Sequence, residues 1–450
     1  MEADYAFSGR EKEATLISNH GEFRDLICSR GWRLRGCACS ASLVALVLIA
    51  IIAAMTQTAL GQTFSVIHDF TGGQDGAYPA AGVTIDANDN IYGTTFGGGG
   101  TGRFGTVFLL DNDGTGWTLS PLHSFAGGSD GAGPAGKLVF GPNGILYGST
   151  SAGGGGSCLQ SNDYHGCGTV YSIRPPAQSP ATVIFDWSST VLYSFSGGDG
   201  AYPQGELTFD KAGNIYGTTV NGGSPGRGLI YSLTPSNGSW TQNILYQAQG
   251  NGDGEYAWGG VVFDQSGNLY GVFEDNGPHG YGALYELTPS GSGWKESTVH
   301  GFAYHGEDGA SPQGGLILDA SGNLYGTTVH SPNGAGTVFE MAASGGSWSY
   351  DFLYGLTGGI NLGPYDKLLM DASGNLYGTT YADGRYGYGS VFKLTQSNGK
   401  WTYSTLHDFT GAKDGASPMC RLAFDSGGNL YGTAAGGGAH GKGVAFEITP

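Results

Sequence analysis

The chain is poor in charge and especially in basic residues. Charged residues make up only 12% of its 450 positions, and 37 Asp and Glu outnumber 19 Lys and Arg, for a formal net charge of −18. Residues 1–61 hold six basic and six acidic residues, so the remainder carries the whole excess, with 13 basic against 31 acidic. An acidic surface repels phosphate backbones, which argues against nucleic-acid binding and suits a soluble, exported protein.

Several familiar catalytic motifs are missing as well. The sequence has no strand-to-helix nucleophile elbow and no His-Glu-x-x-His run. Glycine clusters at 97–100 and 153–156 follow predicted strands but precede more strand, so they offer no helix N-terminus for a phosphate. These absences exclude an elbow-type hydrolase, a zincin and a phosphate-loop protein.

Cysteine is scarce, with six residues of which three lie in the first 61. Cys158 and Cys167 stand in one insertion of the longest repeat and can close a disulfide in an oxidising compartment. Cys420 is then an unpaired thiol, expected as a small buried residue where Gly314 stands in another repeat.

Only one long apolar run is present, at residues 42–55. It is shorter than the ~20 residues of a bilayer-spanning helix. Four arginines within 24–35 precede it and Ala-Leu-Gly at 59–61 follows, which predicts a leader over 1–61 with a signal peptide cleaved near Gly61. We therefore expect export to the periplasm, the outer surface or the medium. The alternative is a retained signal anchor, in which the run extends to Leu60 and is the only membrane contact.

After the leader, the dipeptide Tyr-Gly recurs seven times at the end of a short apolar run. Successive copies are 52 to 69 residues apart. The tyrosines of these copies are Tyr92, Tyr147, Tyr216, Tyr270, Tyr325, Tyr377 and Tyr431. Such a period identifies an internal repeat, and the 86 glycines of the chain are read as turn residues between its strands.

One repeat predicts four antiparallel strands. In the fifth, an apolar run at 316–318, a tight turn and the Tyr-Gly segment at 324–328 form a hairpin, and strands at 337–341 and from Trp348 to Tyr354 follow. A sheet this small must pack against neighbours to be stable. Residues 64–70 match the fourth strand of other repeats and 443–450 match the third. We therefore predict an all-β, seven-bladed β-propeller over 62–450, closed by an N-terminal strand that joins the last blade.

These residues carry a resemblance to a known repeat. Leu-His/Tyr-Ser-Phe, Gly-Gly-x-Asp-Gly-Ala-x-Pro, Asp-x-x-Gly-Asn-Leu-Tyr-Gly-Thr-Thr and Gly-x-Gly-Thr-Val-Phe recur in fixed order. The set resembles the GloVer tandem repeat of bacterial choice-of-anchor proteins over nearly all of 62–450. That resemblance implies an exported, surface-associated bacterial protein and brings no established activity. No hydrophobic or sorting segment stands before Pro450, so anchoring is expected only from the leader.

An Asp-Gly pair recurs between the fourth strand of one blade and the first of the next, and residues 361–363 replace it once. Its aspartates are Asp75, Asp130, Asp199, Asp253, Asp308 and Asp414. Strand alternation places them on one rim, where they can bind Ca²⁺ or a cationic ligand. The alternative is that each Asp bonds its own turn, and recurrence in every blade favours this structural role.

Other repeated polar residues have structural interpretations. His68, His123, His300 and His407 share one repeat position on separate blades, so they cannot converge on one ion. The repeated tryptophans are expected to pack blades, and Asp86 with its counterparts is expected to cap a turn. Candidates for an acid/base site are the residues of irregular loops, which no spacing links. They are His165, His279, His305, His330, His440, Glu255, Glu274, Asp275 and Glu307.

Two functions follow from this sequence. The first is a monomeric, non-enzymatic propeller that binds a glycan, a peptide or a protein at its loop-rich rim. The alternative is a secreted lyase or glycoside-active enzyme with its site at the mouth of the central channel. Glu255, Glu307 or a loop histidine within hydrogen-bond reach of one another would favour the enzyme. So would several ionisable channel residues, each unique to its blade.

Overall fold

A computed structural model describes residues 62–159, 164–176, 187–332, 334–357 and 363–450. The predicted leader and signal segment, residues 1–61, and positions 361–362 of the replaced Asp-Gly pair lie outside the described residues. The described part is all-β, and it contains no helix that is long and apolar enough to cross a membrane.

The strands are numbered in chain order. β1 is Thr63–Asp69. Blade 1 consists of β2 (Val83–Ile85), β3 (Ile91–Thr95), β4 (Thr106–Asn112) and β5 (Trp117–Ser124). Blade 2 consists of β6 (Ala132–Pro134), β7 (Val139–Phe140), β8 (Leu146–Ala152), β9 (Thr169–Arg174) and β10 (Ser188–Ser194). Blade 3 consists of β11 (Thr208–Phe209), β12 (Ile215–Thr219), β13 (Leu229–Ser236) and β14 (Ser239–Gln247). Blade 4 consists of β15 (Val262–Phe263), β16 (Leu269–Phe273), β17 (Ala283–Ser290) and β18 (Gly293–Gly301).

The remaining blades follow the same plan. Blade 5 consists of β19 (Ile317–Leu318), β20 (Leu324–Thr328), β21 (Thr337–Ser344) and β22 (Ser347–Gly355). Blade 6 consists of β23 (Leu369–Met370), β24 (Leu376–Thr380), β25 (Ser390–Ser397) and β26 (Lys400–Asp408). Blade 7 contains β27 (Ala423–Phe424), β28 (Leu430–Ala434) and β29 (Val444–Thr449). In blade 2 the extra strand β6 extends a short bridge that other blades also make, such as Ala77 with Gly97.

The N-terminal strand completes the last blade, as predicted. Blade 7 has the order β1-β29-β28-β27, so β1 is its outermost strand. β1 pairs antiparallel with β29 from Thr63 opposite Thr449 to Asp69 opposite Val444, with a bulge between Val66 and His68. The same bulge recurs in the outer strand of the other blades. The prediction of a closed seven-bladed β-propeller is therefore confirmed.

Packing explains why both residues of the Tyr-Gly pair recur. Its glycine lies opposite a fully buried aromatic residue of the third strand, and that ring occupies the space of the missing side chain. These rings are Phe108, Tyr171, Tyr231, Tyr285, Phe339, Phe392 and Phe446. Its tyrosine contacts the next blade, and in three cases the ring lies edge-on to that blade's tryptophan, as in Trp348 with Tyr270 at 5.6 Å. The blades are thus held together by repeated aromatic contacts.

The aspartate between the first and second strands caps its turn, as the sequence suggested. Asp86 accepts hydrogen bonds from the amides of Asn88 at 2.8 Å and Asn90 at 3.0 Å and from the Tyr92 hydroxyl at 3.2 Å. The hairpin and the Tyr-Gly tyrosine are therefore fixed by one carboxylate.

Gly326→Ala tests the glycine–aromatic contact. A Cβ at this position lies 2.6 Å from Phe339 Cζ, so we expect overpacking to lower the free energy of unfolding by roughly 1–3 kcal/mol. The matched control is Gly293→Ala, also in a strand, whose Cβ meets nothing within 4 Å and should change stability little. Urea titration measures both, and equal effects of the two substitutions would contradict this packing role.

Candidate functional site

Each rim aspartate lies in its own turn and accepts hydrogen bonds there. Asp75 accepts from the Thr71 amide at 2.8 Å and contacts His68 Nε2 at 3.2 Å, while Asp253 accepts from the Tyr246 hydroxyl at 2.5 Å. Backbone amides donate in the same way to Asp130, Asp199, Asp308 and Asp414. The His or Tyr of the fourth strand and the Asp of the turn thus form a pair within one blade. Ligand binding by this rim stays a prediction.

The candidate acids and histidines do not assemble over the channel. In the part of the chain that the structure describes, no three His, Cys, Asp or Glu side chains are placed to hold a metal ion, and calcium binding stays a prediction. Glu255 is buried against Arg227, while Glu307 is exposed. The loop residues His279, His305 and His440 are exposed too.

A cavity of about 470 Å³ lies on the axis of the ring, because all seven blades contribute to its wall. A three-residue wall segment leads to each first strand and begins directly after Pro79, Pro134, Pro203, Ala257, Pro312, Pro364 and Pro418. The wall comes from residues of this segment and from loop residues that follow second strands, such as Phe96. It lies on the rim face, and we refer to it as the channel-mouth pocket. At the third position, three blades carry glycine and the other four carry Lys137, Glu206, Lys367 and Arg421. These positions therefore differ between blades, unlike the repeated Tyr-Gly.

Five ionisable residues, Lys137, Glu206, Asp366, Lys367 and Arg421, form what we term the charged layer. Lys367 Nζ donates to Glu206 Oε2 at 3.1 Å, and Arg421 Nη1 donates to the same oxygen. A second cavity of about 480 Å³ is also lined by Glu206, Lys367 and Arg421, and it reaches the inner strands. The charged layer therefore separates the channel-mouth pocket from the rest of the channel.

Burial and neighbouring charges shift the pKa values of three residues in the charged layer. Burial opposes ionisation of Glu206, but the charges of Lys367 and Arg421 outweigh it and lower the pKa of Glu206 to about 2. Burial raises the pKa of Asp366 to about 6. Burial, with the charge of Arg421, lowers the pKa of Lys137 to about 8. At neutral pH the layer holds three cations and two carboxylates, so it is positive within an acidic protein.

Aromatic and amide side chains make the upper wall of the pocket. Trp258 Nε1 donates to Glu274 Oε2 at 2.6 Å, and Gln313 Nε2 donates to Glu274 Oε1 at 2.5 Å. Glu274, one of the candidate loop acids, therefore orients two pocket residues, and burial raises its pKa. Phe96 and Tyr365 add two further rings.

The insertion of blade 2 supports this wall. A disulfide joins Cys158 to Cys167 in the loop between β8 and β9. Tyr164 of the same loop stacks on Phe96 with ring centroids 5.3 Å apart, and its hydroxyl donates to the Phe96 carbonyl at 3.3 Å. The insertion is thus in contact with a pocket residue of the neighbouring blade.

The remaining cysteine, Cys420, is free and buried. It stands at the second wall position, where blade 5 has Gly314, as the sequence suggested. Burial raises its pKa to about 12, so the thiol stays neutral.

The Gloeobacter/Verrucomicrobia repeat family matches the sequence in three overlapping segments, 53–190, 158–350 and 264–450. The chain belongs to this repeat family. No curated protein matches the sequence. Among solved structures, an ulvan lyase of a polysaccharide lyase family superposes with a TM-score of 0.51 at 11% identity, over 86% of this chain and 95% of its own.

Two other solved propellers are similar at lower scores. A gluconolactonase from Xanthomonas campestris has a TM-score of 0.39 at 11% identity, covering 88% of this chain and 92% of its own. TolB from Acinetobacter baumannii has a TM-score of 0.38 at 14% identity, covering 80% and 68%. At these identities the likeness shows the fold alone.

The charged layer is not predictable from any motif in the sequence. Its members are single residues in otherwise similar repeats, and no motif connects Lys137 with Glu206 or Arg421. A signal was nevertheless available, because the third position of the wall segment is glycine in three blades and charged in four. A repeat position that varies strongly beside one that does not is typical of a site on a repetitive scaffold.

Glu206→Gln tests the charged layer. It leaves Lys367, whose side chain is only 3% exposed, without its carboxylate partner. We expect the free energy of unfolding to fall by about 3–5 kcal/mol at pH 7. Because the pKa of Glu206 is lowered from 4.5 to about 2, its contribution is complete above pH 4.5 and is lost as the pH falls toward 2. The gap between wild type and variant should therefore close over that interval.

Denaturant titrations between pH 2 and pH 8 measure this gap. Glu307→Gln is the control, since that exposed carboxylate should contribute little at any pH. A Glu206→Gln protein as stable as wild type at pH 7 would contradict the ion-pair assignment.

Proposed function

We propose that this protein binds a saccharide in the channel-mouth pocket. The observation that carries the proposal is the combination of aromatic rings and oriented amides around one cavity. Its volume of about 470 Å³ falls in the range of ~300–1,000 Å³ usual for small-ligand sites. Trp258, Tyr365 and Phe96 offer apolar faces for sugar rings, and Gln204 and Gln313 offer donors and acceptors for hydroxyl groups.

The wall is also pre-organised. Glu274 accepts one hydrogen bond from Trp258 and one from Gln313, so neither side chain has to be ordered when a ligand arrives. Tyr78 stands at the edge of the pocket, 43% exposed, and its hydroxyl accepts from Lys442 Nζ at 2.9 Å. A longer glycan can therefore extend from the pocket across this exposed ring.

Export is part of the proposal. The Cys158–Cys167 disulfide supports it, because such bonds persist in oxidising compartments. The apolar run at 42–55 with its basic flank supports it independently. We propose that the protein acts as a monomer outside the cytoplasm, where glycans are accessible.

The second candidate is an enzyme acting on such a saccharide. The observation that favours it is the charged layer, whose five ionisable residues stand at wall positions that differ between blades, unlike residues with a repeated structural role. Against it, Glu255 is paired with Arg227 and does not face a loop histidine. Incubating acidic and neutral polysaccharides with the protein separates the two candidates. Released fragments that disappear with Lys137→Met would establish the enzyme, while unchanged polymer supports binding.

Trp258→Ala tests saccharide binding. Removing this ring from the wall should weaken binding of a recognised oligosaccharide by about tenfold or more, which corresponds to about 1.4 kcal/mol. Isothermal titration calorimetry, on ligands chosen from a glycan panel, measures the effect. Tyr386→Ala is the control, since that ring is 50% exposed and does not line the pocket. The proposal falls if wild type binds no member of the panel or if Trp258→Ala binds as wild type does.

A further inference from the structure

Three of the thirteen basic residues of the repeat region lie side by side in the channel. Residues 62–450 hold only 13 Lys and Arg against 31 Asp and Glu, yet Lys137, Lys367 and Arg421 lie together in the charged layer. Bringing like charges together in a partly buried place is unfavourable unless an anion compensates them. The question is therefore which anionic groups compensate these three cations.

Glu206 compensates only part of this charge. One of its oxygens accepts from both Lys367 and Arg421, and Lys367 is almost fully buried beneath it. Glu206, Lys367 and Arg421 together line the second cavity, on the side of the charged layer away from the channel-mouth pocket. Lys367 is consequently satisfied within the protein and is not available to a ligand in the channel-mouth pocket.

Lys137 and part of the Arg421 guanidinium have hydrogen-bond donors that Glu206 does not use. Within the described residues nothing accepts a hydrogen bond from the Lys137 ammonium, although its side chain lines the pocket. Arg421 uses Nη1 for Glu206, its Nε is buried without an acceptor, and its Nη2 has no acceptor in the described chain. Unsatisfied cationic donors beside a cavity are what an anion-binding floor requires.

A second carboxylate beside these donors, after Glu206, does not neutralise them fully. Asp366 lines the same pocket, and its Oδ1 accepts from the Lys367 backbone amide at 2.6 Å. Burial disfavours its ionised form and raises its pKa to about 6. An anion from a ligand therefore meets an excess of positive charge at the floor and aromatic rings above it.

We propose that the saccharide bound in the channel-mouth pocket is acidic, and that its carboxylate or sulfate group is held at the floor by Lys137 and Arg421. This inference rests on the proposed saccharide binding and specifies the ligand's chemical class. The anionic group sits on the charged layer, and the sugar ring that carries it lies against Trp258 and Tyr365.

The test compares three probes on the full protein by calorimetry: a short oligogalacturonide, its methyl ester, and a sulfated neutral oligosaccharide. We expect wild type to bind an acidic probe roughly tenfold or more tightly than the ester. The methyl ester has the same sugar rings without the charge, so the difference reports the floor alone. Tighter binding of the oligogalacturonide would identify the anionic group as a carboxylate, and tighter binding of the sulfated probe would identify it as a sulfate.

Two variants with opposite expected effects complete the test. Lys137→Met should lower affinity for the acidic probe about tenfold and leave the ester unchanged, because it removes a cation of the floor without removing a protein hydrogen bond. Asp366→Asn should raise affinity for the acidic probe, since it removes a like charge. Lys211→Met, at an exposed turn, is the matched control and should change nothing.

The possible failures are distinguishable. If wild type binds the ester as tightly as both acidic probes, or if Lys137→Met binds the acidic probe as wild type does, the acidic-ligand inference is overturned while saccharide binding stands. If wild type binds none of the three probes and no other saccharide, the proposed function falls and the inference with it.

Discussion

A four-stranded blade of this protein has two faces that only neighbouring blades can cover, so the ring must close for every blade to have both faces covered. Closure depends on the pairing of β1 with β29, strands from opposite ends of the repeat region. The same contacts recur around the ring: a glycine admits the third-strand ring of its own blade, and the tyrosine beside it contacts the next blade. Propeller stability is thus shared around the circle and is not local to one repeat.

This arrangement separates two kinds of repeat position. Positions that pack one blade on the next, such as Tyr325-Gly326 and Phe339, admit little variation, because a change there disturbs the interface. In blades with glycine at the third wall position the neighbouring blade lies close, since a Cβ on Gly260 would be 2.4 Å from the Glu206 carbonyl oxygen. In the other blades the wall positions face the cavity on the axis. Lys137, Glu206 and Arg421 occupy such positions, so the scaffold tolerates charge there as long as the charges compensate one another or meet a ligand.

The fold could be predicted from the sequence because the repeated residues are the packing residues. The spacing of Tyr-Gly gave the number of blades, and the match of residues 64–70 to other fourth strands gave the closure. The candidate site could not be predicted in the same way. The rim aspartates attracted attention because they recur, but each one bonds its own turn, as Asp75 does with Thr71.

The residues of the channel-mouth pocket are distant in sequence. They share a position in the repeat but not a residue type. Only the ring brings Glu206 of blade 3 beside Lys367 of blade 6 and Arg421 of blade 7. Glu274 was a candidate as an acid, yet its contacts make it a positioning residue for Trp258 and Gln313. Its role depends on two hydrogen bonds that no spacing predicts.

Native-state hydrogen exchange tests the closed ring most directly. If β1 locks blade 7, the amides of β29 should exchange as slowly as those of the equivalent third strands β4 and β25, because all open only with the whole ring. Fast exchange confined to β1 and β29, with the other third strands still protected, would show a ring that opens at its seam and would contradict the account.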